Sequence, residues 1–335
     1  MPGDSALPVG VELFDDWEAV ARDACGALDA RPILFERLAW FRLLAAHCPP
    51  PGRLLAARAG EEGGKAWLFL AQEGRRARSY VNWYSLRFGP IGDSGAAVAI
   101  AAALRGRVTS VELTPVEDPE PIVQAFRAAG WVVFAQPAAV SWQTDTRGLD
   151  FAAYWARRPS RLRSSADRKA KAAALDIAVH RRFDAAAWTD YEEVYRASWK
   201  PAEGSPSFLR ALAEAEGAAG RLRLGIARRD GRALAAQLWL LEGGTATIHK
   251  LAYREDYKAL SPGTVLSVAM FRAALDEDRV ERIDYGVGDE PYKADWMDER
   301  RLLWRLDAYD PRSPIGLAGA LRAAASSLVR RLRSR

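Results

Sequence analysis

Thr245-Ala246-Thr247-Ile248-His249-Lys250-Leu251-Ala252-Tyr253, followed by Leu260-Ser261-Pro262-Gly263-Thr264 and then by Val265 to Leu275, reads as strand, turn and helix in direct succession. The first run alternates as a strand does, while Val265, Leu266, Val268, Ala269, Phe271 and Leu275 make one apolar helical face. Ser261 suits an N-cap and Pro262 a first helical residue. Gly263 removes side-chain bulk where the first-turn N–H groups point outward, so an anion can approach them and the positive end of the helix dipole. A pyrophosphate would fit such a place. The same residues also describe a plain, well-capped helix after a strand.

The unit around this turn occurs twice. Gly52-Arg53-Leu54-Leu55-Ala56-Ala57-Arg58 resembles Gly220-Arg221-Leu222-Arg223-Leu224-Gly225-Ile226, and each is followed by an apolar strand, a short Gly turn and a further strand. That further strand is expected to contain Tyr80 to Tyr84 in the first copy and Ala246 to Tyr253 in the second. Asp93-Ser94-Gly95 falls opposite Ser261-Pro262-Gly263, Val108 to Leu113 opposite Val280 to Tyr285, and Glu120-Pro121 opposite Glu290-Pro291, at an offset of roughly 170 residues. The order predicts two α/β domains, each with a mixed, mostly antiparallel sheet flanked by helices. The first is expected over residues 9–145, the second over 146–310, and a basic amphipathic tail over 311–335.

That order, with the Gly turn between the fourth strand and its helix, resembles the GNAT acyltransferase fold in tandem. The doubling is similar to the Fem-type transferases of peptidoglycan assembly. The second half is similar to a bacterial acetyltransferase family associated with cellulose and exopolysaccharide loci. The carrying segments are Tyr195-Arg196-Ala197-Ser198-Trp199-Lys200 with Glu203, Ile248 to Gly263, and Ile283-Asp284-Tyr285-Gly286-Val287-Gly288-Asp289-Glu290-Pro291-Tyr292-Lys293 with Trp296. The resemblance implies an acyl-CoA donor, acetyl-CoA first among them, bound by Leu251, Tyr253, Ser261, Pro262, Gly263 and Thr264. It implies no metal.

Composition agrees with an enzyme of two ordinary domains: 335 residues, 49% hydrophobic and 27% charged. No run is long and apolar enough to span a bilayer, and Met1-Pro2-Gly3-Asp4-Ser5 lacks the start of a secretory signal, so a cytoplasmic location is expected. Cys25 and Cys48 are too few for a disulfide framework and are expected as small buried residues. His47, His180 and His249 stand far apart, which argues against a metal site.

The net charge of +5 is unevenly spread. Arg157, Arg158, Arg161, Arg163, Arg168, Lys169 and Lys171 face one acid, Asp167, a stretch able to dock an acidic acyl carrier protein. The tail carries Arg312, Arg322, Arg330, Arg331, Arg333 and Arg335 and no acid. Leu317, Leu321, Leu328 and Leu332 share a helical face there, suited to an anionic membrane surface at the inner face of the membrane or to packing on the second domain. Neither basic stretch interleaves aromatics, so DNA or RNA is not expected as a partner.

Acyl transfer to an amine needs a donor to polarise the thioester carbonyl, a route for the amine proton and a proton for the departing thiolate. In this fold a backbone N–H near Leu251 or Tyr253 supplies the first. Asp284, alternating with Ile283 and Tyr285, is the first candidate base, with Asp289 and Glu290 as alternatives; Tyr285 and Tyr292 are candidate proton donors. Lys200, Lys250 and Lys293 sit among aromatics and can meet a phosphate or carboxylate, or pair with Glu203 and Asp289. His249 reads as a half-buried strand residue beside the acceptor, and Trp199 and Trp296 as walls of its pocket. Asp93 in the first copy should repel phosphate, so coenzyme binding is assigned to the second domain and the acceptor to the cleft between domains.

The leading expectation is an N-acetyltransferase or other N-acyltransferase acting on an amino sugar or an envelope or exopolysaccharide precursor. The alternatives are a Fem-like transferase using aminoacyl-tRNA, and a non-catalytic scaffold held at a membrane by the tail.

Overall fold

The computed structural model describes residues 10–60 and 65–333. Met1 to Ser5, the expected domain start at Val9, and Arg335 lie outside the described residues, as do the side chains of Leu328, Arg330, Arg331, Leu332 and Arg333. The chain divides into two compact units, Met1–Ala139 with Leu302–Arg335, and Val140–Arg301.

In chain order the strands are β1 (Val11–Phe14), β2 (Arg53–Ala59), β3 (Ala66–Glu73), β4 (Arg76–Ser79), β5 (Ile91–Gly92), β6 (Ser110–Val116) and β7 (Val132–Asp145). There follow β8 (Asp176–His180), β9 (Leu222–Arg229), β10 (Arg232–Glu242), β11 (Thr245–Tyr253), β12 (Arg282–Val287) and β13 (Glu299–Tyr309). The first unit has the order β1-β2-β3-β4-β6-β13, with β5 on β3 and only β4 against β6 parallel. The second has β8-β9-β10-β11-β12-β7, with only β11 against β12 parallel. The two orders correspond strand for strand. In each unit the sheet is completed by a strand from beyond the repeat: β13, which follows Lys293–Trp296, pairs with β6, and β7, which follows the helix Pro119–Ala128, pairs with β12.

Two-residue turns set the second meander. Asp230-Gly231 joins β9 to β10 at φ of 52° and 79°, and Gly243-Gly244 joins β10 to β11 at 49° and 77°. Positive φ at both central positions matches the twist of a hairpin and is why Gly and Asp stand there. The helix Pro262–Arg272 then lies on this sheet. Its Phe271 packs against Tyr154, Trp239 and Trp296 with ring centroids 5.2, 5.2 and 4.9 Å away. Gly225 in β9 makes room beneath it, since a Cβ there would lie 2.4 Å from Met270 Sδ and 3.1 Å from Leu266 Cδ1.

Several local expectations are corrected. The fourth strand of the first unit is Arg76–Ser79, and Tyr80 to Tyr84 lies beyond it, where Asn82 Oδ1 accepts from Tyr84 N at 3.0 Å and turns the chain. Cys25 is exposed, since it ends the helix Trp17–Ala24 in a left-handed conformation instead of filling the core. The tail helix Pro314–Arg333 packs on the first unit, not the second: a Cβ on Gly316 would stand 2.2 Å from the Asp310 carbonyl oxygen.

Gly225→Val should destabilise the protein by about 1–3 kcal/mol, because the helix must lift off β9 to admit the added atoms. Urea denaturation would show this as a lower midpoint at unchanged slope.

Candidate active site

The site begins where β11 and β12 separate. They pair in parallel only from Thr245↔Arg282 to Thr247↔Asp284, and β11 continues to Tyr253 without that neighbour. Along β10 the register passes from Trp239↔Ile248 to Leu238↔Lys250, which leaves His249 as the extra residue of a β-bulge. A bulge bends the strand and raises its twist, here at the point where β12 is lost. Arg254 N donates to Leu234 O of β10 at 2.9 Å. Since N–H directions alternate along a strand, those of Leu251 and Tyr253 turn away from β10 into the opened edge.

Past the strand, Ser261 stands at the expected N-cap position with Pro262 as the first helical residue, but it adopts φ 52° and ψ 47° and its side chain makes no capping bond. The first turn of Pro262–Arg272 is therefore left without a side-chain acceptor, as an anion site needs. Gly263 also packs closely, since a Cβ there would stand 3.0 Å from the Tyr253 ring. In the first unit, by contrast, Asp93 Oδ1 accepts from Gly95 N at 2.9 Å, so the equivalent turn is occupied by its own carboxylate.

From Tyr253 the site extends through the Trp199 ring, centroid 4.4 Å away and 49% exposed, to Lys200. Lys200, Tyr195 and Glu203 line a cavity of about 400 Å³ with Tyr191, Glu192 and Leu209. It opens between the helices Ala185–Arg196 and Pro206–Ala218, whose starts are fixed by Asp184 on Ala187 N and Ser205 on Phe208 N. Glu203 engages Lys250 at 3.1 Å, and Glu290 engages Lys293 at 3.0 Å. Lys200 has no such counter-ion among the described residues; burial and then Lys250 push its ammonium down to about 8. Burial works to raise Glu290, but its bond with Lys293 prevails and the carboxyl lies below its ordinary range.

The remaining expected site residues have other partners. Asp284 is buried and accepts from Ser141 Oγ at 3.0 Å, Gln143 Nε2 at 3.0 Å and Gly286 N at 2.8 Å. Its oxygens brace β12 against β7 and hold the turn at Gly286 (φ 69°), a structural role that the sequence reading of Asp284 as a base did not include. Asp289 lies in a fork with Arg300 at 2.6 Å and takes a bond from Trp142 Nε1; Arg300 holds its carboxyl below the ordinary range. Lys293 is buried and donates to the carbonyls of Val287 and Gly288 at 3.1 and 3.3 Å, so it ties the loop after β12 rather than reaching a substrate. Trp296 is core, 4% exposed, and its carbonyl accepts from Tyr154 Oη and Arg158 Nη1. His249 is pushed down to about 3 by burial and then by Lys250, and so stays neutral.

Tyr285 is buried with its hydroxyl raised well above the ordinary range, first by burial and then by Tyr292; its ring lies 5.8 Å from that of Tyr292. Tyr292 is 44% exposed, and desolvation of its hydroxyl and then Glu290 push it up to about 12. Both phenols therefore keep their protons at neutral pH. Of the basic stretch, Arg158 is buried on Trp296 and Asp298 and Arg161 pairs with Asp295, while Arg157, Arg168 and Lys171 are exposed. The bulge at His249 escaped the sequence reading because it is a matter of register within the hairpin, and the bracing by Ser141 and Gln143 because those partners are far away in the chain.

Residues 156–294 match the family model described as an acetyltransferase (GNAT) domain. The match lies within the second unit, and it supports an acyltransferase. Among solved structures it is similar to FemX, with TM-score 0.63, 11% identity, and 88% of this chain and 96% of that one covered. It is also similar to the C-terminal domain of a chain assigned as a lysylphosphatidylglycerol synthetase from Agrobacterium fabrum, with TM-score 0.59, 14% identity, and 92% and 95% covered. A third is a tandem GNAT protein from the clavulanic acid biosynthesis pathway, with TM-score 0.50, 16% identity, and 88% and 98% covered. At these identities the likeness shows the fold: a tandem GNAT-like α/β arrangement. No curated protein matches the chain.

Asp284→Asn should lower stability by about 1–3 kcal/mol, because an amide cannot accept from all three donors. Chemical denaturation checks this; unchanged stability with turnover abolished would return Asp284 to a base.

Proposed function

We propose that the chain is an N-acyltransferase that uses an acyl-CoA, with acetyl-CoA the first choice. The observation that carries this reading is the parting of β11 from β12, which turns the Leu251 and Tyr253 N–H groups into an open edge beside the uncapped start of Pro262–Arg272. A coenzyme thioester supplies an activated acyl group there. The Leu251 or Tyr253 N–H donates to its carbonyl oxygen, and the N–H groups of Gly263 and Thr264 hold the pyrophosphate.

The acceptor amine enters from the cavity of about 400 Å³ beside Trp199 and Lys200. With Asp284 engaged by its braces, Lys200 in its neutral form takes the amine proton, a task suited to an amine held at about 8. Tyr292, protonated and accessible, returns a proton to the departing thiolate. The resemblance of the 195–203 and 283–296 segments supports an amino sugar or an exopolysaccharide or envelope precursor as acceptor, at the cytoplasmic side, with an acyl carrier protein as a further possible donor docking on Arg157, Arg168 and Lys171.

A second reading, aminoacyl transfer from tRNA in the Fem manner, is favoured by the likeness to FemX and to the synthetase domain.

Calorimetric titration of acetyl-CoA and a longer acyl-CoA should give saturable binding that Gly263→Asp abolishes and Lys200→Met preserves. In an acceptor screen, Lys200→Met should lose roughly 10²–10⁴-fold in kcat together with the acidic limb near pH 8. Absence of wild-type binding to either acyl-CoA rejects this donor and leaves an acyl carrier protein or aminoacyl-tRNA; an unchanged pH limb rejects Lys200 as the base.

A further inference from the structure

The helix Pro314–Arg333 has two faces of opposite character. Its inner face is made of residues small enough to bring it against the first unit: Gly316 under the Asp310 and Thr109 carbonyls, Gly319 on the Tyr309 ring, where a Cβ would stand 2.7 Å from the ring, and Ala320, which is 5% exposed. Leu317 and Leu321 point the other way. Leu317 is 46% exposed and Leu321 64% exposed, one turn apart. In the sequence Leu328 and Leu332 continue the same row at helical spacing.

A helix selected only to cover its own domain would put the leucines inward and small or polar residues outward. Here the order is reversed, and the row runs through a segment with six arginines and no acid. Among the described residues no helix is long and apolar enough to cross a membrane.

We propose that this face binds the surface of an anionic lipid bilayer, with the leucines at the acyl boundary and the arginines on lipid phosphates. Charge selects this occupant: in the sequence Arg330, Arg331, Arg333 and Arg335 complement an anionic lipid surface, and a flat bilayer accepts exposed leucines without a shaped groove. The proposal does not depend on which acyl donor the second unit uses.

Co-sedimentation of the full chain with phosphatidylcholine vesicles, with and without phosphatidylglycerol, tests it. Binding is expected only to the anionic vesicles, weakening as salt is raised. Leu317→Ser combined with Leu321→Ser should reduce it at least about tenfold while leaving far-UV circular dichroism and thermal unfolding unchanged, since both positions are exposed. Arg330→Glu combined with Arg331→Glu should weaken binding in low salt more than in high salt. Equal sedimentation with both vesicle types, or a double-leucine variant that binds as wild type does, overturns the proposal. So does conversion of a wild-type dimer into a monomer by the leucine changes, which would assign the face to a second copy of the chain.

Discussion

The parallel contact between β11 and β12 stops after three residue pairs, and the site follows from that interruption. A sheet normally satisfies every interior N–H through its neighbour, so two strands that part leave donors facing open space. The separation is held from both sides. On β11 the extra residue His249 bends the strand; on β12 the glycines at 286 and 288, both at positive φ, turn the backbone away. Asp284 and Lys293 keep that turn in place, one with three accepted bonds from Ser141, Gln143 and Gly286, the other with two donated bonds and a pair to Glu290. The polar groups once suited to chemistry are thus the frame that lets backbone donors do it. On the proposed function, catalysis draws on preorganised dipoles, which need no rearrangement when charge develops on an acyl oxygen.

Charge pairing then singles out one group. Three lysines and two glutamates gather behind Trp199, and two of the lysines are matched. The third, Lys200, is recessed with no ion pair of its own among the described residues, and burial together with Lys250 holds its proton loosely. The first unit, built to the same strand order, has Asp93 filling its own helix start.

Much of this was legible in local residue patterns. The Asp-Gly and Gly-Gly hairpins, the Ser-Pro-Gly-Thr helix start and the doubled order of strands are short-range signals, and each element formed near where the pattern placed it. Pairing was not legible. Whether Asp284 is a base or a brace depends on Ser141 and Gln143, more than 140 residues away; whether Lys293 meets a substrate depends on carbonyls that only a folded turn brings to it. Trp296 and Trp199 look alike in sequence, yet one is core and the other surface, because burial is decided by the helix Pro262–Arg272 above the first and the open cavity beside the second. Tyr80 to Tyr84 imitated a strand through its aromatics, and the Asn82 turn overrode that preference.

The central claim is that the Leu251 and Tyr253 N–H groups lack a strand partner until a donor arrives. Residue-resolved amide hydrogen exchange by NMR, without and with coenzyme A, measures this directly. Faster exchange at Leu251 and Tyr253 than at Lys250 and Ala252, slowed when the coenzyme is added, is the predicted result. Equal protection of all four amides in the free protein would contradict it, because β11 would then be paired along both edges.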